Sequence, residues 1–273
     1  MEPDFYLGNR RWLASYFEKE WFDHVLAQNA LPSSLFEFAP FDPSLLYCDS
    51  HQKVADFLCH TLTDVEVAPQ RLFEIGSSLG RGFYEIFQRI PSLRSATLVE
   101  PSQMLSSTFE SLFRSRDTCS YPVLWGNKEM VDVAFDSSHL QEAVRALSIS
   151  LINSPDEGLR EDLGFFDLVT CFNVIDNCEA PLALVERLKR HTAPGGILAL
   201  SCTYQWSKKY LGTTTERREK LLEPATETPA TDINELFCDG WTHLNEGNIE
   251  FKFRKSERHW VQFLSHVSVF RRS

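Results

Sequence analysis

The sequence contains no cysteine pair in a C-x-x-C spacing and no histidine pair in an H-x-x-x-H spacing. Those spacings are typical of structural zinc sites and helical zinc enzymes, so no metal site is expected. The seven cysteines are odd in number and scattered along the chain. That distribution does not suit a disulfide framework, and we expect reduced thiols in a cytoplasmic protein.

Long apolar runs and a basic leader are also missing. The chain begins MEPDFYLGNRRW and nowhere reaches the roughly 18 consecutive apolar residues of a membrane-spanning helix, so neither a signal peptide nor a membrane partner is expected. Positive charge is in deficit, because 27 Lys and Arg against 38 Asp and Glu give a formal net charge of −11. An acidic surface repels phosphate backbones, so nucleic acid is not an expected partner either.

Apolar residues are plentiful, at 43% of 273 residues with 21 Phe and 6 Trp. A chain of this length buries roughly 75% of its unfolded surface, which is enough for one well-packed domain. We predict an N-terminal helical extension over residues 1–48 and a main domain over 49–273. Within the extension, apolar and aromatic residues recur at helical spacing from 11 to 26. That helix either packs into the core or closes over a ligand as a lid.

Strand-like and helix-like segments alternate after residue 49. The predicted strands are 71–75, 95–99, 165–172 and 196–201, with a weaker one at 121–125, and helices are predicted at 50–62, 103–113 and 181–191. Two further strand-like runs, 248–254 and 260–270, predict a hairpin. The expected fold is α/β: a Rossmann-like seven-stranded, mostly parallel sheet with helices on both faces and a C-terminal antiparallel hairpin.

Two segments of the main domain do not fit this alternation. Residues 128–164 lack a clear pattern, and we interpret them as an insertion. Residues 203–231 are rich in Thr, Glu and Pro, a composition that predicts a long loop.

The sequence LFEIGSSLGRG, residues 72–82, places a strand, three glycines and a helix in succession. Glycines at such a turn let the backbone approach a ligand closely, although a tight turn alone gives the same pattern. A dinucleotide fingerprint requires G-x-G-x-x-G. This chain instead has Gly76, Gly80 and Gly82, with Ser78 where a middle glycine would stand. The spacing therefore disfavours a nicotinamide oxidoreductase.

Because Glu74 precedes Gly76 by two residues, this segment resembles the E/D-x-G-x-G-x-G first motif of class I S-adenosylmethionine-dependent methyltransferases, from which it departs at Ser78. The resemblance implies S-adenosyl-L-methionine as the cofactor, bound by Glu74, Gly76, Ser78 and Gly80. Glu100 ends the next predicted strand, where an acid binds ribose hydroxyls in such folds. The alternative is that Glu100 is a solvent-exposed strand terminus.

Two more cofactor-binding residues complete this prediction. In the family, adenine lies near the loop after the third strand. If the run 121–125 is that strand, the loop contains Trp125, Gly126 and Asn127, of which Asn127 is the predicted contact. Phe172, at the end of the predicted strand 165–172, is the other cofactor residue.

The segment 166–201 also follows the order of class I methyltransferases. Its Asn173 and Asp176 resemble a C-x-N-x-x-D-x-C-x-x-P pattern of DREV-type protein-histidine methyltransferases. The methyltransferase domain of ovothiol biosynthesis has a similar N-x-x-D and a Tyr-x-Trp step, similar to Tyr204 and Trp206 here. These resemblances imply methylation of an imidazole nitrogen, on a small thiolated histidine first and on a protein histidine second.

The same resemblances imply roles for the acceptor site. Asn173, Asp176 and Tyr204 are the predicted catalytic residues, the first two fixing the imidazole ring through its other nitrogen; a structural hydrogen-bonding cluster is the alternative.

The predicted substrate residues are Trp206, Arg254 and Arg258. An aromatic wall suits a cation, and an arginine suits a substrate carboxylate. Solvated surface arginines are the alternative for the last two. A methyltransferase-like binding protein without catalysis stays open as a different class of function, and the sequence does not indicate an oligomeric state.

Overall fold

The computed structural model describes residues 10–28, 48–115, 118–125, 129–154, 161–205, 232–256 and 259–273. Within these ranges the chain forms six α-helices: α1 Arg10–Ala27, α2 Ser50–Asp64, α3 Arg81–Arg89, α4 Gln103–Arg114, α5 Ser138–Val144 and α6 Pro181–His191. The strands are β1 Arg71–Ile75, β2 Ser95–Val99, β3 Cys119–Trp125, β4 Glu129–Phe135, β5 Ser148–Ile152, β6 Phe166–Phe172, β7 Thr192–Cys202, β8 Trp241–Ser256 and β9 His259–Arg272.

Seven of these strands form one sheet in the order β5-β2-β1-β6-β7-β9-β8. The first five strands run parallel to one another, whereas β9 runs antiparallel to both β7 and β8. This arrangement confirms the predicted Rossmann-like, mostly parallel sheet with a C-terminal antiparallel hairpin. The chain moves outward from β1 to β5 and then returns to the other side of β1 as β6. In such sheets, ligands bind at this reversal, outside the carboxyl ends of the strands.

The third strand of the sheet differs from the sequence prediction. The run 121–125 lies in β3, which pairs with β4 in a separate two-stranded antiparallel sheet. The position beside β2 belongs to β5, paired from Ser95↔Ser148 to Val99↔Ile152. Residues 128–164 therefore contribute β4, α5 and an edge strand rather than a simple insertion. Local pattern favoured β3 because its run is the more apolar, whereas β5 has the sequence SISLI and is a partly exposed edge strand.

The sheet separates two buried apolar clusters. Alternate residues of β1 face opposite sides, so Leu72 belongs to the cluster that contains residues of α1 to α5, and Phe73 to the cluster that contains residues of α6. Both residues are fully buried. Helices thus cover both faces of the sheet, as the sequence predicted.

Helix α1 is part of the larger cluster. Its residues Phe17, Trp21, Phe22 and Val25 are each no more than 1% exposed. Phe17 stacks on Tyr121 of β3 at a ring-centroid distance of 4.4 Å. The helix therefore packs as a core element against the β3–β4 hairpin, which is the first of the two roles that its sequence allowed.

We expect Trp21→Ala to lower the free energy of unfolding by about 3–5 kcal/mol, because it leaves a large cavity in a fully buried site. It also removes the hydrogen bond from Trp21 Nε1 to the carbonyl oxygen of Leu79, 3.2 Å long. Urea unfolding followed by circular dichroism measures the change. Phe165→Ala is the matched control, since that ring is 51% exposed and its loss should cost within about 0.5 kcal/mol. Equal losses in both variants would contradict a core role for α1.

Candidate active site and cofactor cleft

The segments that follow β1, β2, β6 and β7 meet at one edge of the sheet. The register pairs Ile75 with both Val99 and Cys171, and Phe172 with Ser201, so these four strands end at the same level. The residues after the strand ends are therefore brought together although they are far apart in sequence. This carboxyl edge contains most of the predicted site residues.

The glycine loop between β1 and α3 requires glycine at two positions. Gly76 and Gly80 have φ angles of 80° and 87°, in the left-handed region that side chains rarely adopt. A Cβ on Gly76 would lie 2.3 Å from Val174 Cγ2, and one on Gly80 would lie 2.6 Å from the ring of Phe109. Ser78 also has a positive φ, 52°, so it follows the backbone path of the glycine it replaces in the motif.

Glu100 closes the loop from the side of β2. It is 4% exposed, which excludes the solvent-exposed terminus considered from sequence. Its Oε2 accepts a hydrogen bond from the backbone N–H of Ser78 at 2.9 Å, and its Oε1 accepts one from Ser102 at 2.9 Å. A carboxylate can accept about four hydrogen bonds, which is the capacity that binding of ribose hydroxyls requires.

Glu74 lies beneath the loop and is 3% exposed. Burial raises the pKa of Glu74 to about 8, and the nearby Glu20 carboxylate adds to this, while a 3.1 Å hydrogen bond from Thr170 Oγ1 works against it. At neutral pH the side chain is therefore mostly protonated. The Glu74 carboxyl oxygens and His51 Nδ1 both lie next to Gly82. A Cβ atom added to Gly82 would be 3.8 Å from the former and 3.6 Å from the latter.

Two buried polar atoms beside the loop have no hydrogen-bond partner, namely Nε2 of His51 and Oγ of Ser77. An unsatisfied buried polar group costs about 1–3 kcal/mol, a cost that a bound ligand or water can remove by supplying a partner. Burial lowers the pKa of His51 well below its ordinary value, helped by the charges of Lys19 and Arg81, so the ring is neutral. Sequence reasoning did not identify either residue as part of the site, because α2 was read only for its apolar face.

Helix α1 supplies a carboxylate to the same loop. Glu20 accepts hydrogen bonds from Ser78 Oγ at 2.6 Å and from the backbone N–H groups of Leu79 and Arg81 at 3.1 Å and 3.3 Å. Arg81 in turn forms two 2.7 Å hydrogen bonds to the carboxylate of Asp23. This contribution of Glu20 was also missed, since nothing in the sequence connects the extension to the glycine loop.

Asn173 and Asp176 lie after β6, as predicted, and both are held by other protein groups. Asn173 has a positive φ of 57°, and its Oδ1 accepts hydrogen bonds from the hydroxyls of Ser201, at 3.2 Å, and Ser265. Asp176 is 2% exposed, and its Oδ2 accepts from the backbone N–H of Thr203, at 3.0 Å, and from the Thr203 hydroxyl. These bonds connect β6 to β7 and β9, which is the structural cluster that the sequence left open.

Tyr204 follows β7 with a positive φ of 58°. Its hydroxyl lies 2.7 Å from Nδ1 of His266 and 3.3 Å from Oδ1 of Asp232. Burial and the neighbouring Asp232 carboxylate raise the pKa of Tyr204, so the phenol is protonated at neutral pH. The side chain is half-buried at the carboxyl edge, next to the Asp176–Thr203 contact.

The remaining predicted residues are placed differently. Phe172 is half-buried at the end of β6. Arg254 is 3% exposed and forms hydrogen bonds of 2.9 Å and 2.6 Å to the carboxylate of Glu18, so it would have to leave a buried ion pair to meet a substrate. The predicted residues Asn127, Trp206 and Arg258 lie outside the described residues.

The adenine prediction depended on β3 being the third strand of the sheet, and that premise is wrong. The strand beside β2 is β5, and the residue that follows it is Asn153. Nδ2 of Asn153 donates hydrogen bonds of 2.9 Å to the carbonyl oxygen of Glu100 and to Ser106 Oγ. The loop after the true third strand therefore adjoins Glu100.

Across the described ranges, no group of three or more His, Cys, Asp or Glu side chains is positioned to hold a metal ion. Six cysteines there are free thiols: Cys48, Cys59, Cys171, Cys178, Cys202 and Cys238. None of the described helices is both long and apolar enough to cross a membrane.

The doubly wound sheet, the glycine loop and the acid after β2 together define an S-adenosylmethionine-dependent methyltransferase. Residues 49–243 match a family model described as a methyltransferase domain. Because the match covers most of the chain, the protein belongs to this family. Its cofactor is S-adenosyl-L-methionine, and its reaction is methyl transfer.

No curated protein sequence matches the chain. Among solved structures, magnesium protoporphyrin IX methyltransferase (ChlM) from Synechocystis PCC 6803 with bound SAM is similar at 14% identity and a TM-score of 0.49, over 99% of this chain and 100% of that chain. N-methyltransferase NodS from Bradyrhizobium japonicum WM9 with S-adenosyl-L-homocysteine is similar at 13% identity and a TM-score of 0.49, over 93% and 98%. The plantazolicin methyltransferase BpumL is similar at 10% identity with the same TM-score, over 93% and 98%.

We expect cofactor affinity to increase as the pH rises toward about 8, the pKa of Glu74. Below that pH the acid is neutral, whereas the ammonium and sulfonium charges of the cofactor favour its ionised form, so binding must release a proton. Calorimetry at pH 7 in buffers of different ionisation enthalpy measures this release.

Two variants frame the measurement. Glu74→Gln should abolish the proton release, and Glu142→Gln, at an exposed position on α5, should leave it unchanged. A wild-type binding enthalpy that is independent of the buffer would show that Glu74 does not couple to the cofactor.

Proposed function

We propose that this methyltransferase transfers a methyl group to an imidazole nitrogen of a small histidine-derived substrate, such as a thiolated histidine. The supporting observation is that Asn173, Asp176 and Tyr204 meet at the carboxyl edge that also holds the glycine loop. The resemblance of these residues to the N-x-x-D and Tyr-x-Trp steps of histidine-modifying enzymes supplies the substrate class. A protein histidine is the alternative acceptor.

Within this proposal, the cofactor lies across the ends of β1 and β2. Glu100 accepts hydrogen bonds from the ribose hydroxyls, and Ser78 and the flanking glycines leave room for the methionine chain. Glu74 faces the ammonium group. The carboxylate at the amino-acid end of the cofactor accepts hydrogen bonds from Ser77 Oγ and His51 Nε2, the two buried atoms that otherwise have no partner.

Methyl transfer to an imidazole makes modest chemical demands. A neutral imidazole nitrogen is already a nucleophile, with a reference pKa near 6.5, so little deprotonation is needed at pH 7. The cofactor, when bound, supplies the electrophilic methyl carbon. The protein must align the nitrogen with that carbon, and such alignment contributes on the order of 7–11 kcal/mol to lowering the barrier. The rigid connection between β6, β7 and β9 through Asn173 and Asp176 suits that task.

We expect His51→Ala to weaken binding of S-adenosylhomocysteine about 10- to 100-fold, the worth of one hydrogen bond to a charged group. The same change should leave 5′-methylthioadenosine binding within about twofold, because that compound lacks the amino-acid end. Isothermal titration calorimetry measures both. His60→Ala, at an exposed position on the same helix, is the control. If His51→Ala weakened the binding of both compounds equally, His51 would not contact the carboxylate of the cofactor.

The substrate class is tested by a product-mass screen with methyl-labelled S-adenosylmethionine. The acceptors are histidine, thiolated histidines, histidine dipeptides and total protein. We expect label on the imidazole of a small histidine-derived compound. The labelling rate should fall at least about tenfold in Asp176→Asn, because this change removes the negative charge of Asp176 from the site. Label on total protein alone would favour the protein-histidine alternative. Cofactor binding without label on any imidazole would rule out the proposed acceptor.

A further inference from the structure

Five polar side chains form one hydrogen-bonded cluster at the carboxyl edge of β7: Tyr204, Asp232, Asn234, Glu246 and His266. The hydroxyl lies 2.7 Å from Nδ1 of His266, and Nε2 of the same ring lies 3.3 Å from Oε2 of Glu246. Phenol, imidazole and carboxylate thus form a continuous hydrogen-bonded series, which we call the Tyr–His–Glu chain. Neither His266 nor Glu246 was identified from the sequence.

Strand pairing and backbone conformation position Tyr204 and His266 next to each other. His266 of β9 is paired with Cys202, the last residue of β7, so it stands at the level where the parallel strands end. Tyr204 follows two residues later with its φ at 58°, and its ring stacks on that of His266 with centroids 5.9 Å apart. A non-glycine residue held in the left-handed region of φ is strained, and such strain recurs at functional positions.

Other acids at this edge are less suited to accept a proton. Asp176 accepts two hydrogen bonds at Oδ2 from Thr203 and one at Oδ1 from Asn177, and it is almost fully buried. Glu100 is engaged at both oxygens by backbone N–H groups. The side chain of His266 is 14% exposed and contacts a half-buried phenol, so a proton can both reach it and leave it.

The geometry points to His266 as the acceptor of the proton that methyl transfer releases, with Tyr204 as the group that contacts the substrate and Glu246 as a positioning residue. This inference rests on the proposed function, because it requires an acceptor that carries a proton. It adds a route for that proton which the proposed function does not contain.

The step balances without an oxidant or reductant. The acceptor nitrogen forms a bond to the methyl carbon while the carbon–sulfur bond breaks, and its electron pair returns to sulfur to give S-adenosylhomocysteine. As positive charge develops on the ring in the transition state, its N–H proton moves to the oxygen of Tyr204. The phenolic proton passes at the same time to Nδ1 of His266, which later releases it to solvent.

Two carboxylates lie next to His266, one from the segment before β8 and one from β8 itself. Oδ1 of Asp232 lies 4.0 Å from its Nδ1, and Glu246 of β8 faces its Nε2. Ser268 of β9 adds a hydroxyl 3.3 Å from Nε2, and His243 lies 3.8 Å from the Glu246 carboxylate. Two carboxylates are thus placed to balance the positive charge that His266 gains with the proton.

The experiment measures kcat against pH for wild type, His266→Ala and Tyr204→Phe, with methyl-labelled S-adenosylmethionine and the histidine panel above. We expect both variants to lose about 10²- to 10⁴-fold in kcat, the usual contribution of a positioned acid or base, and to show a dependence of kcat on pH that differs from wild type. Added imidazole should restore part of the rate to His266→Ala but not to Tyr204→Phe. Calorimetry with S-adenosylhomocysteine should give affinities within about twofold of wild type, which shows that the variants are folded.

His259→Gln, at an exposed position on β9, is the matched control and should keep the wild-type profile. An unchanged pH profile in His266→Ala, or a reduced rate without rescue by imidazole, overturns the Tyr–His–Glu chain and leaves the proposed substrate class standing. Wild-type protein that binds S-adenosylhomocysteine but methylates no member of the panel overturns both proposals.

Discussion

The carboxylate of Glu20 at the start of α3 is the contact on which the cofactor cleft depends. The first N–H groups of a helix have no partner within the helix and carry its positive dipole end, so a buried anion there is strongly stabilising. Glu20 accepts from one of these groups, the N–H of Arg81, and also from the Leu79 N–H and the Ser78 hydroxyl of the loop, while Glu100 accepts from the Ser78 N–H on the other side. The positive φ of Ser78 is therefore maintained by tertiary contacts. Helix α1, outside the matched family segment, is thus a structural part of the cleft.

Several of the chain's acidic residues are buried around the cofactor cleft. Glu18, Glu20, Glu74 and Glu100 are each no more than 4% exposed, and each is accommodated differently. Glu18 pairs with Arg254, Glu20 and Glu100 accept backbone hydrogen bonds, and Glu74 is held mostly protonated by burial. A cleft with this much carboxylate suits a cofactor that carries a sulfonium and an ammonium charge, since a cation relieves the cost of burying the acids.

On the proposed acceptor side of the site, structural and chemical duties fall to different side chains. Asn173 and Asp176 hold β6, β7 and β9 together, and this leaves Tyr204 and His266 as the groups that face outward at the strand ends. Positive φ angles at Asn173 and Tyr204 show that both strand ends turn sharply there. Strand ends that are tightly connected and turn at strained residues can hold side chains in fixed positions. Catalysis by alignment depends on such fixed positions.

The sequence by itself determined the fold class, the glycine loop and the two acids at the strand ends. These depend on local patterns: apolar runs of strand length, helical periodicity, and glycines at a turn that excludes side chains. It also predicted that 11–26 forms a helix, and α1 spans Arg10–Ala27. The tertiary structure alone decided that β5 rather than β3 completes the sheet, and that Glu20, His51 and His266 join the site. Those outcomes depend on residues 31 to 62 positions apart, from His51 beside Gly82 to Tyr204 with His266, and contacts of that range leave no periodic trace in the sequence.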